Sequence, residues 1–235
     1  MKQYPTFDYE LELWKKDYIV IGVDEVGRGA IAGPIVASAL AFAPYVNVKG
    51  KRNKVKVKNY SNYQLPITNY QKRIIIDDSK RLTEKQRKIT RDWLINNCLG
   101  YYQASISVDY INKYGISKAN RKVMRDAVAG LINKLKTDKK LFILSDFLPI
   151  RHVKTISTNQ QINLIHGDQI SCSIAAASII AKVSRDMYMC QISSQFPKYF
   201  WHQNKGYGTK YHISAIKQYG INDHHRKQFI SKYIK

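Results

Sequence analysis

The sequence predicts an α/β protein with one central mixed sheet, in which the leading strands are antiparallel and helices flank the sheet. Two continuous apolar runs, at 18–23 and 141–145, are typical of strands that are buried on both faces. Helix-forming segments at 84–98, 117–136 and 173–195 alternate with strands, as they do in α/β folds. The chain of 235 residues is long enough for one substantial core.

The N-terminal elements follow from short-range patterns. Residues 1–17 are polar and aromatic, which predicts an irregular lead-in. Val, Ile and Tyr favour a strand in the first apolar run, and a second buried strand follows at 35–42. Six of the ten residues from Lys49 to Lys58 are basic and none is acidic. We interpret 45–70 as a basic insertion at a sheet edge that either contacts phosphates or forms a solvated loop.

The middle of the chain contains two strands and two helices in our interpretation. Residues 73–77 predict a short strand, and Thr83 is expected to cap a helix that runs to about residue 98. Apolar and polar residues alternate at 101–108, which indicates a strand with one solvated face. Apolar residues spaced four apart predict a helix over 117–136.

The last third begins with the buried strand at 141–145, after which 153–156 predicts a short edge strand. The segment 173–195 is apolar almost all round and predicts a buried helix. Two short helices are expected near 209–219 and 222–234.

The balance of charge predicts a polyanionic partner. The chain has 39 basic and 17 acidic residues, a formal net charge of +22. Nucleic acid is the first candidate for this partner and an acidic membrane is the second. We divide the chain into a main α/β domain at 1–195 and a basic, aromatic helical extension at 196–235 that packs on the same domain.

The protein is expected to be soluble and cytoplasmic, without a membrane partner. No apolar signal region opens the sequence, and no apolar stretch approaches the length of a membrane span. Cys98, Cys172 and Cys190 show no C-x-x-C spacing. We interpret them as small core residues in a reducing compartment.

Carboxylates follow two of the predicted buried strands. Asp24 and Glu25 end the first strand, and Asp146 ends the strand at 141–145. Parallel neighbours would bring these acids to one edge of the sheet, where open α/β sheets build their sites. Asp168 and Asp186 are the candidates for a fourth acid, but a helix of about 27 Å would separate them. We choose Asp168, which precedes the helix, and interpret Asp186 as part of an ion pair on the helix surface.

A site built only from Asp and Glu selects hard, oxygen-preferring ions such as Mg²⁺ or Mn²⁺. Two such ions suit in-line displacement at phosphorus, because one activates water and the other stabilises the leaving oxygen. The alternative is a structural set of carboxylates paired with Lys and Arg. Burial makes acids without a counter-charge costly, which favours the metal site.

Several ordered blocks of sequence form a more specific pattern. They are Asp24-Glu25-Val-Gly27-Arg28-Gly29, Asp78-Ser79-Lys80-x-Leu82-Thr83, Leu144-Ser145-Asp146, Gly167-Asp168 with Ser173–Asp186, Lys205–Thr209, and His224-His225-Arg226-x-x-Phe229. These blocks resemble the motifs of the ribonuclease HII family, and the resemblance spans about residues 18–230. It implies a ribonuclease H-like fold for the α/β domain.

The resemblance also implies a function. Members of the family are metal-dependent endonucleases that cleave RNA in RNA/DNA hybrids and at single ribonucleotides embedded in duplex DNA, as in ribonucleotide excision repair. Cleavage on the 5′ side of the ribonucleotide leaves 3′-hydroxyl and 5′-phosphate ends. By the resemblance, Asp24, Glu25, Asp146 and Asp168 are the catalytic ligands of a two-metal Mg²⁺ or Mn²⁺ site, in an enzyme that we expect to be a monomer.

The resemblance further implies substrate contacts. The backbone around Gly27, Arg28 and Gly29 would read the ribose 2′-hydroxyl, which distinguishes RNA from DNA. Glycine lets the backbone approach the sugar closely. Tyr207 would pack on the sugar beyond the ribonucleotide, and the other expected substrate-binding residues are Ser79 and Lys80.

Two departures from the family pattern stand out. The segment 45–70 is longer than usual, and Phe147 follows Asp146 where the family more often has glycine. Ribonuclease HIII, the sister family, typically has Gly-Lys-Gly, so Arg28 favours HII. Two alternative functions remain: a non-catalytic nucleic-acid-binding relative, and another two-metal nuclease of the superfamily, such as a resolvase or integrase.

Overall fold

The computed structural model describes residues 4–43, 74–231 and 233. The predicted basic insertion at 45–70 lies outside the described residues. No helix in the described part of the chain is both long enough and apolar enough to cross a bilayer.

One five-stranded sheet forms the centre of the protein. Its strands are β1 (Ile19–Val26), β2 (Ile35–Ala41), β3 (Gly100–Ile106), β4 (Leu141–Asp146) and β5 (Gln161–Leu164). The order across the sheet is β3-β2-β1-β4-β5. The β1/β2 and β2/β3 pairs are antiparallel, whereas the β1/β4 and β4/β5 pairs are parallel. The predicted mixed sheet with antiparallel leading strands is confirmed.

Helices flank this sheet. They are α1 (Asp8–Trp14), α2 (Glu84–Asn97), α3 (Val108–Tyr114), α4 (Ile116–Leu135), α5 (Cys172–Ser193), α6 (Trp201–Asn204), α7 (Lys210–Tyr219) and α8 (Lys227–Ile230), with short 3₁₀ turns at Thr158–Gln160, Gly167–Gln169 and Pro197–Tyr199. The predicted helices that begin near 84, 117, 173 and 209 are confirmed within a few residues.

The two faces of the sheet are covered by different helices. Ile21 of β1 packs with α4 in one core cluster. Val20 of β1 and Leu40 of β2 face the other side, where α5 lies. Successive strand residues point to opposite faces, so covering both faces requires an apolar residue at nearly every position. This explains the continuous apolar runs of β1 and β2.

Two predicted strands are absent from the described structure. Residues 74–77 form no ladder; Ile75 and Ile76 instead pack as irregular chain beside α5. Residues 153–156 also form no strand, and β5 at 161–164 takes the edge position beside β4. Both segments contain apolar, β-branched residues because they are partly buried, and burial alone does not distinguish a strand from packed coil.

Three short helices were not predicted, namely α1, α3 and α6. The lead-in at 1–17 contains α1, which is tied to the start of α5 because Glu10 accepts hydrogen bonds from Ser171 Oγ (2.6 Å) and Ser173 N (2.8 Å). The predicted strand at 101–108 ends before Ser107, whose side chain caps α3. The helix predicted over 222–234 is shorter in the structure, where only α8 is helical. The residues before it, 222–226, form an irregular turn that holds buried side chains.

The three cysteines are free thiols in different environments. Cys172 is buried, as predicted for a core residue, and burial raises its pKa well above the usual value. Cys98 is half-buried and Cys190 is exposed, so the core interpretation is wrong for Cys190. Its position on the outer side of α5 near the helix end explains the exposure.

A polar cluster around three buried side chains organises residues 196–231. Its members are Trp201, His212 and His225, which are buried, with Tyr207 and Asn222 at its edge. Trp201 Nε1 donates to His212 Nε2 (3.0 Å), and His212 Nδ1 lies 2.9 Å from the Tyr207 carbonyl, to which it must donate. Asn222 N donates to His225 Nδ1 (3.0 Å), Asn222 Oδ1 lies 2.8 Å from the same nitrogen, and His225 Nε2 lies 3.2 Å from His212 Nε2. Burial lowers the pKa of both imidazoles, which favours their neutral forms.

The contacts of residues 196–231 with the rest of the protein include backbone hydrogen bonds. Ile31 N and Ala32 N both donate to the Gly206 carbonyl, and Arg226 N donates to the Ile31 carbonyl. The division of the chain at residue 195 stays a prediction.

Acidification should destabilise the protein through His225. Burial, with His212 adjacent, lowers the pKa of His225 to about 4, below the value of about 6.5 in an unfolded chain. The folded state therefore binds fewer protons, and stability is lost as the pH falls through 6.5 towards 4. We expect the midpoint temperature of thermal unfolding to decrease when the pH is lowered from 7 to 5. In His225→Gln this decrease should be smaller.

The control for this prediction is His152→Gln. His152 is exposed, so this variant should keep the wild-type decrease in the same thermal melts. If the midpoint temperature of His225→Gln changed with pH as much as that of the wild type, His225 would not be the source of the destabilisation.

Candidate active site

Asp24 and Asp146 lie side by side at the carboxyl ends of β1 and β4. The parallel register pairs Val23 with Ser145, so each acid follows a paired residue. Asp24 is buried, and this burial, followed by repulsion from Glu25, Asp146 and Asp168, raises the pKa of Asp24 well above its usual value. The sheet thus brings together the acids that the sequence predicted to converge.

Asp168 enters the same site from the 3₁₀ turn that follows β5. The turn is fastened to β4 because Gly167 N donates to Asp146 Oδ1 at 2.8 Å. Burial raises the pKa of Asp168, and nearby Asp78 and Asp146 raise it further. The exposed Lys80 ammonium partly offsets these effects at 3.6 Å from Asp168 Oδ2.

Glu25 approaches from the other face of the sheet, because consecutive strand residues point to opposite sides. On that side Asn120 of α4 donates through Nδ2 to Glu25 Oε1 at 3.3 Å. Burial and Asp146 raise the pKa of Glu25, while Arg28 acts in the opposite direction. All four predicted acids therefore interact, with Asp146 central to the group.

The donor set fits a divalent cation. Three of the four acids have raised pKa values, because burial disfavours their charged forms and because the carboxylates repel one another, and a cation would offset both effects. Lys80 already supplies positive charge at Asp168. Within the described residues, no three Asp, Glu, His or Cys side chains yet surround a single point as a metal cage does.

The sequence analysis did not assign a site role to Asp78. It is buried and hydrogen-bonded to Asp168, a contact that raises the pKa of Asp168 because two carboxyl groups can share a hydrogen bond only through a proton. Asp78 Oδ1 also accepts from Lys80 N (2.9 Å), and Oδ2 accepts from Gln169 Nε2 (3.2 Å). Asp78 thus shapes the Lys80 turn, and the pair of adjacent acids Asp77-Asp78 after an apolar run was the available sequence signal.

Two serines support Asp24, Ser178 of α5 directly and Ser79 of the turn before α2 through Ser178. Ser178 hydrogen-bonds the Asp24 carboxylate, which partly offsets the rise in its pKa. The Ser79 hydroxyl is buried and lies 3.0 Å from the Ser178 hydroxyl. This contact makes Ser79 a support for Asp24, and its predicted contact with substrate stays a prediction.

Asn120 and Ser178 were both missed by the sequence analysis, although a signal was present. Each is a polar residue at a buried position of an otherwise apolar helix face. Buried polar side chains require partners, so such positions mark candidates for contacts with a site.

The turn after β1 has the conformation that glycine permits. Gly27 has φ +91° and is buried, while Arg28 and Gly29 are exposed. A Cβ atom at Gly27 would lie 2.2 Å from Arg185 Nε, so a larger residue has no space. The turn therefore presents Arg28 and Gly29 to solvent beside Glu25.

Tyr207 lies in the loop between α6 and α7, above the same helix that supports Asp24. Lys182 Nζ is 5.5 Å and the Arg185 guanidinium carbon 5.3 Å from the centre of its half-buried ring. Ser178 and Arg185 are seven residues apart on α5, a rise of about 10 Å. Tyr207 is thus placed along α5 from the carboxylates, outside their group.

Asp186 differs from its prediction in one respect. It forms the expected i,i+4 ion pair, with Lys182 Nζ at 2.8 Å from its Oδ1, but the carboxylate is buried and lies 4.0 Å from Arg87. Helix α2 covers this part of α5, which explains why the pair is not on the surface.

Phe147 adopts a left-handed backbone conformation, with φ +61°, and its side chain is 57% exposed. Its amide donates to the Leu164 carbonyl at 2.9 Å. The turn after β4 therefore takes the conformation that glycine favours, and Asp146 keeps its place despite the aromatic residue.

Comparison with known proteins decides the family. The sequence profile of ribonuclease HII matches residues 66–233. The chain belongs to the ribonuclease HII family. Ribonuclease HII from Rickettsia akari (strain Hartford) is 36% identical over 213 residues, which cover 91% of this chain and 92% of that protein. Ribonuclease HII from Wolbachia sp. subsp. Brugia malayi (strain TRS) is 37% identical over 227 residues, covering 96% and 93%.

Solved structures of related proteins share the fold. Ribonuclease H2 from Pyrococcus horikoshii OT3 superimposes with a TM-score of 0.64 at 22% identity, covering 92% of this chain and 96% of that chain. Bst-RNase HIII, solved in complex with Mn²⁺, gives a TM-score of 0.59 at 18% identity, covering 91% and 65%. The predicted ribonuclease H-like fold is confirmed, and membership of the ribonuclease HII family makes the protein a ribonuclease H-type hydrolase.

Proposed function

We propose that this ribonuclease HII is an endonuclease that cleaves RNA in RNA/DNA hybrids and at single ribonucleotides embedded in duplex DNA. In this proposal cleavage falls on the 5′ side of the ribonucleotide and leaves 3′-hydroxyl and 5′-phosphate ends. The observation that carries the proposal is the convergence of Asp24, Glu25, Asp146 and Asp168 at one sheet edge, directly beside the exposed Gly27–Gly29 turn.

The four carboxylates would hold two Mg²⁺ or Mn²⁺ ions. When bound, the ions would supply water activation and stabilisation of the leaving oxygen. The protein's own groups prepare this site: Ser178 orients Asp24, and Gly167 N orients Asp146. Buried acids with raised pKa values gain from an added cation, which supports a metal-dependent reaction.

Contacts with the substrate are assigned by position. The amides of the exposed residues Arg28 and Gly29 would read the 2′-hydroxyl close to the carboxylates, and Tyr207 would pack on the neighbouring sugar. Lys80 is 80% exposed at its side chain, so it can leave Asp168 and contact a phosphate when cations bind. The net charge of +22 supports a polyanionic substrate.

The cellular setting of the proposal is ribonucleotide removal from DNA in the cytoplasm by a monomeric enzyme. Three free thiols agree with a reducing compartment. A structural neighbour, RNase HII from Archaeoglobus fulgidus, was solved as a complex with PCNA, with a TM-score of 0.64 at 18% identity. We propose no such partner for this chain.

A cleavage assay tests the proposed function. Purified protein is incubated with end-labelled duplex DNA that contains one ribonucleotide, with Mg²⁺ or Mn²⁺, and the products are mapped on a sequencing gel. We expect one cut on the 5′ side of the ribonucleotide, which EDTA abolishes and added metal restores. The all-DNA duplex is the matched control and should stay intact.

Three outcomes would contradict the proposal. Binding without cleavage would favour a non-catalytic nucleic-acid-binding relative, and cleavage of the all-DNA duplex would favour another two-metal nuclease. Cleavage that persists in EDTA would remove the metal from the mechanism. Added salt should weaken binding of the protein to nucleic acid steeply wherever the protein contacts phosphates, because such binding releases counterions from the nucleic acid.

A further inference from the structure

Two arginines, Arg185 of α5 and Arg226 before α8, are fully buried beneath the turn that follows β1. Neither lies within ion-pair distance of an acid among the residues that the structure describes. Burying a guanidinium without a carboxylate is costly unless its N–H groups are satisfied by other acceptors. The acceptors in this case are backbone carbonyls.

Arg226 holds both ends of the turn. Its Nε donates to the Gly33 carbonyl at 2.9 Å. Its Nη1 donates to the carbonyls of Gly27, at 2.7 Å, and Arg28, at 3.2 Å. One planar guanidinium thus joins the first residues of the turn to the residues that lead into β2.

Arg185 joins the same turn to the Tyr207 loop. Its Nε donates to the Pro34 carbonyl at 2.9 Å, and its Nη2 donates to the Ala32 carbonyl at 3.0 Å. Its Nη1 donates to the Lys205 carbonyl at 2.8 Å, two residues before Tyr207. The same guanidinium lies under the Tyr207 ring, 5.3 Å from its centre.

These bonds fix the direction of the backbone dipoles. With the carbonyls of Gly27 and Arg28 directed inward, the exposed amides of Arg28 and Gly29 remain available. Neither amide donates a hydrogen bond to any other described residue. Successive free amides in such a turn form a concave donor site for an oxygen ligand.

The charges beneath the turn are not balanced. Burial, and repulsion from Arg185, lower the pKa of Arg226 to about 9, so it still carries its charge at neutral pH. Arg226 Nη2 is buried and has no hydrogen-bond partner among the described residues. This leaves positive potential behind the free amides and favours an electron-rich ligand in front of them.

We propose that Arg185 and Arg226 are positioning residues that hold the ribose-reading turn and the Tyr207 loop in one fixed arrangement. The inference rests on the proposed function, in which the turn reads a 2′-hydroxyl. Arg226 sets the outward direction of the Arg28 and Gly29 amides. Arg185 sets the distance between these amides and Tyr207, so that both reach the same strand of the substrate.

Lysine variants test this role because they keep the positive charge and remove the planar set of guanidinium N–H donors. A lysine ammonium cannot replace the fixed geometry of two or three guanidinium N–H donors. The readout is the discrimination ratio, defined as the inhibition constant of an all-DNA duplex divided by the KM for the same duplex with one ribonucleotide. This ratio does not depend on the fraction of enzyme that is folded.

We expect Arg226→Lys to lower the discrimination ratio about tenfold, the upper range for one hydrogen bond to the 2′-hydroxyl. The inhibition constant of the all-DNA duplex should stay within about twofold of the wild type, since contacts with phosphates elsewhere remain. Arg185→Lys should lower the ratio as well. Leu131→Ala, a core variant in α4 away from the turn, is the control that loses stability and keeps the ratio.

The outcomes separate the inference from the proposed function. A wild-type ratio near one would overturn the reading of ribose by the turn, and the inference with it. A high wild-type ratio that both lysine variants retain would overturn the inference alone. If neither variant folds, NMR of the wild type decides, because the Arg28 and Gly29 amide signals should shift with the ribonucleotide duplex far more than with the all-DNA duplex. Equal shifts would overturn the inference.

Discussion

Replacing Asp24 with asparagine should abolish cleavage and, at the same time, stabilise the folded protein. Asp24 is buried and repels Glu25, Asp146 and Asp168. An amide of the same shape cannot supply the negative charge that a bound cation requires. Losing several kcal/mol of transition-state stabilisation corresponds to a fall in kcat of about a thousandfold or more.

The gain in stability follows from the direction of the pKa shift. The folded-state pKa of Asp24 lies above its unfolded value, so the folded state binds more protons. For such an acid, stability is greatest at low pH and is lost as the pH rises through the unfolded value towards the folded one. At pH 7, above the pKa of Asp24 in the unfolded chain, Asp24 therefore costs stability, and Asp24→Asn removes that cost.

Thermal melts of metal-free protein measure this effect. We expect a higher midpoint for Asp24→Asn than for wild type at pH 7, and a smaller difference near pH 4. Asp138→Asn is the matched control at an exposed position and should change neither stability nor cleavage. A variant that cleaves at the wild-type rate would remove Asp24 from the ligand set, and a lower midpoint at pH 7 would contradict the electrostatic argument.

Gly22→Ala should destabilise the whole fold more than any other small substitution in β1. A Cβ atom at Gly22 would lie 2.2 Å from the Ser173 carbonyl carbon and 2.3 Å from its oxygen. These are backbone atoms of the first turn of α5, which Glu10 also holds in place. Since neither the strand nor the helix can yield locally, α5 must move away from the sheet.

That movement would affect both stability and the site. Overpacking of a core typically costs about 1–3 kcal/mol, and displacement of a central helix falls at the upper end of this range or beyond it. Ser178 would leave Asp24, so kcat should fall as well. Urea unfolding followed by tryptophan fluorescence measures the first effect, and the cleavage assay measures the second.

Gly29→Ala provides the control for the unfolding experiment. A Cβ atom at Gly29 meets nothing within 4 Å, so the same change should leave the free energy of unfolding near that of the wild type. Equal stability of Gly22→Ala and wild type would show that α5 does not press on β1 at this point.

Local patterns in the sequence were sufficient for a large part of the fold. The buried strands β1, β2 and β4 were predicted because burial on both faces requires continuous apolar residues. The start of α2 was predicted from Thr83, and the structure shows the complete capping box with Gln86. Capping depends on residues three apart in the chain, so the sequence contains all of the information.

Elements whose position depends on distant partners were predicted less well. Residues 153–156 resemble an edge strand, but only the space beside β4 decides that β5 pairs there. Helix α1 looks irregular in sequence, because Glu10 is a charged residue at a position that becomes fully buried. Its partners Ser171 and Ser173 are more than 160 residues away along the chain, as the separations of 161 and 163 show.

The same distinction applies to the site. The sequence by itself determined which acids end the strands, which turn follows β1, and which family the motifs resemble, because each depends on neighbouring residues. Only the tertiary structure placed Asn120 on Glu25, Ser178 on Asp24, and Arg185 and Arg226 beneath the turn. Those contacts join residues from 95 to 199 positions apart. No local pattern specifies such a pairing, since packing of α4, α5 and the C-terminal segment against the sheet decides it.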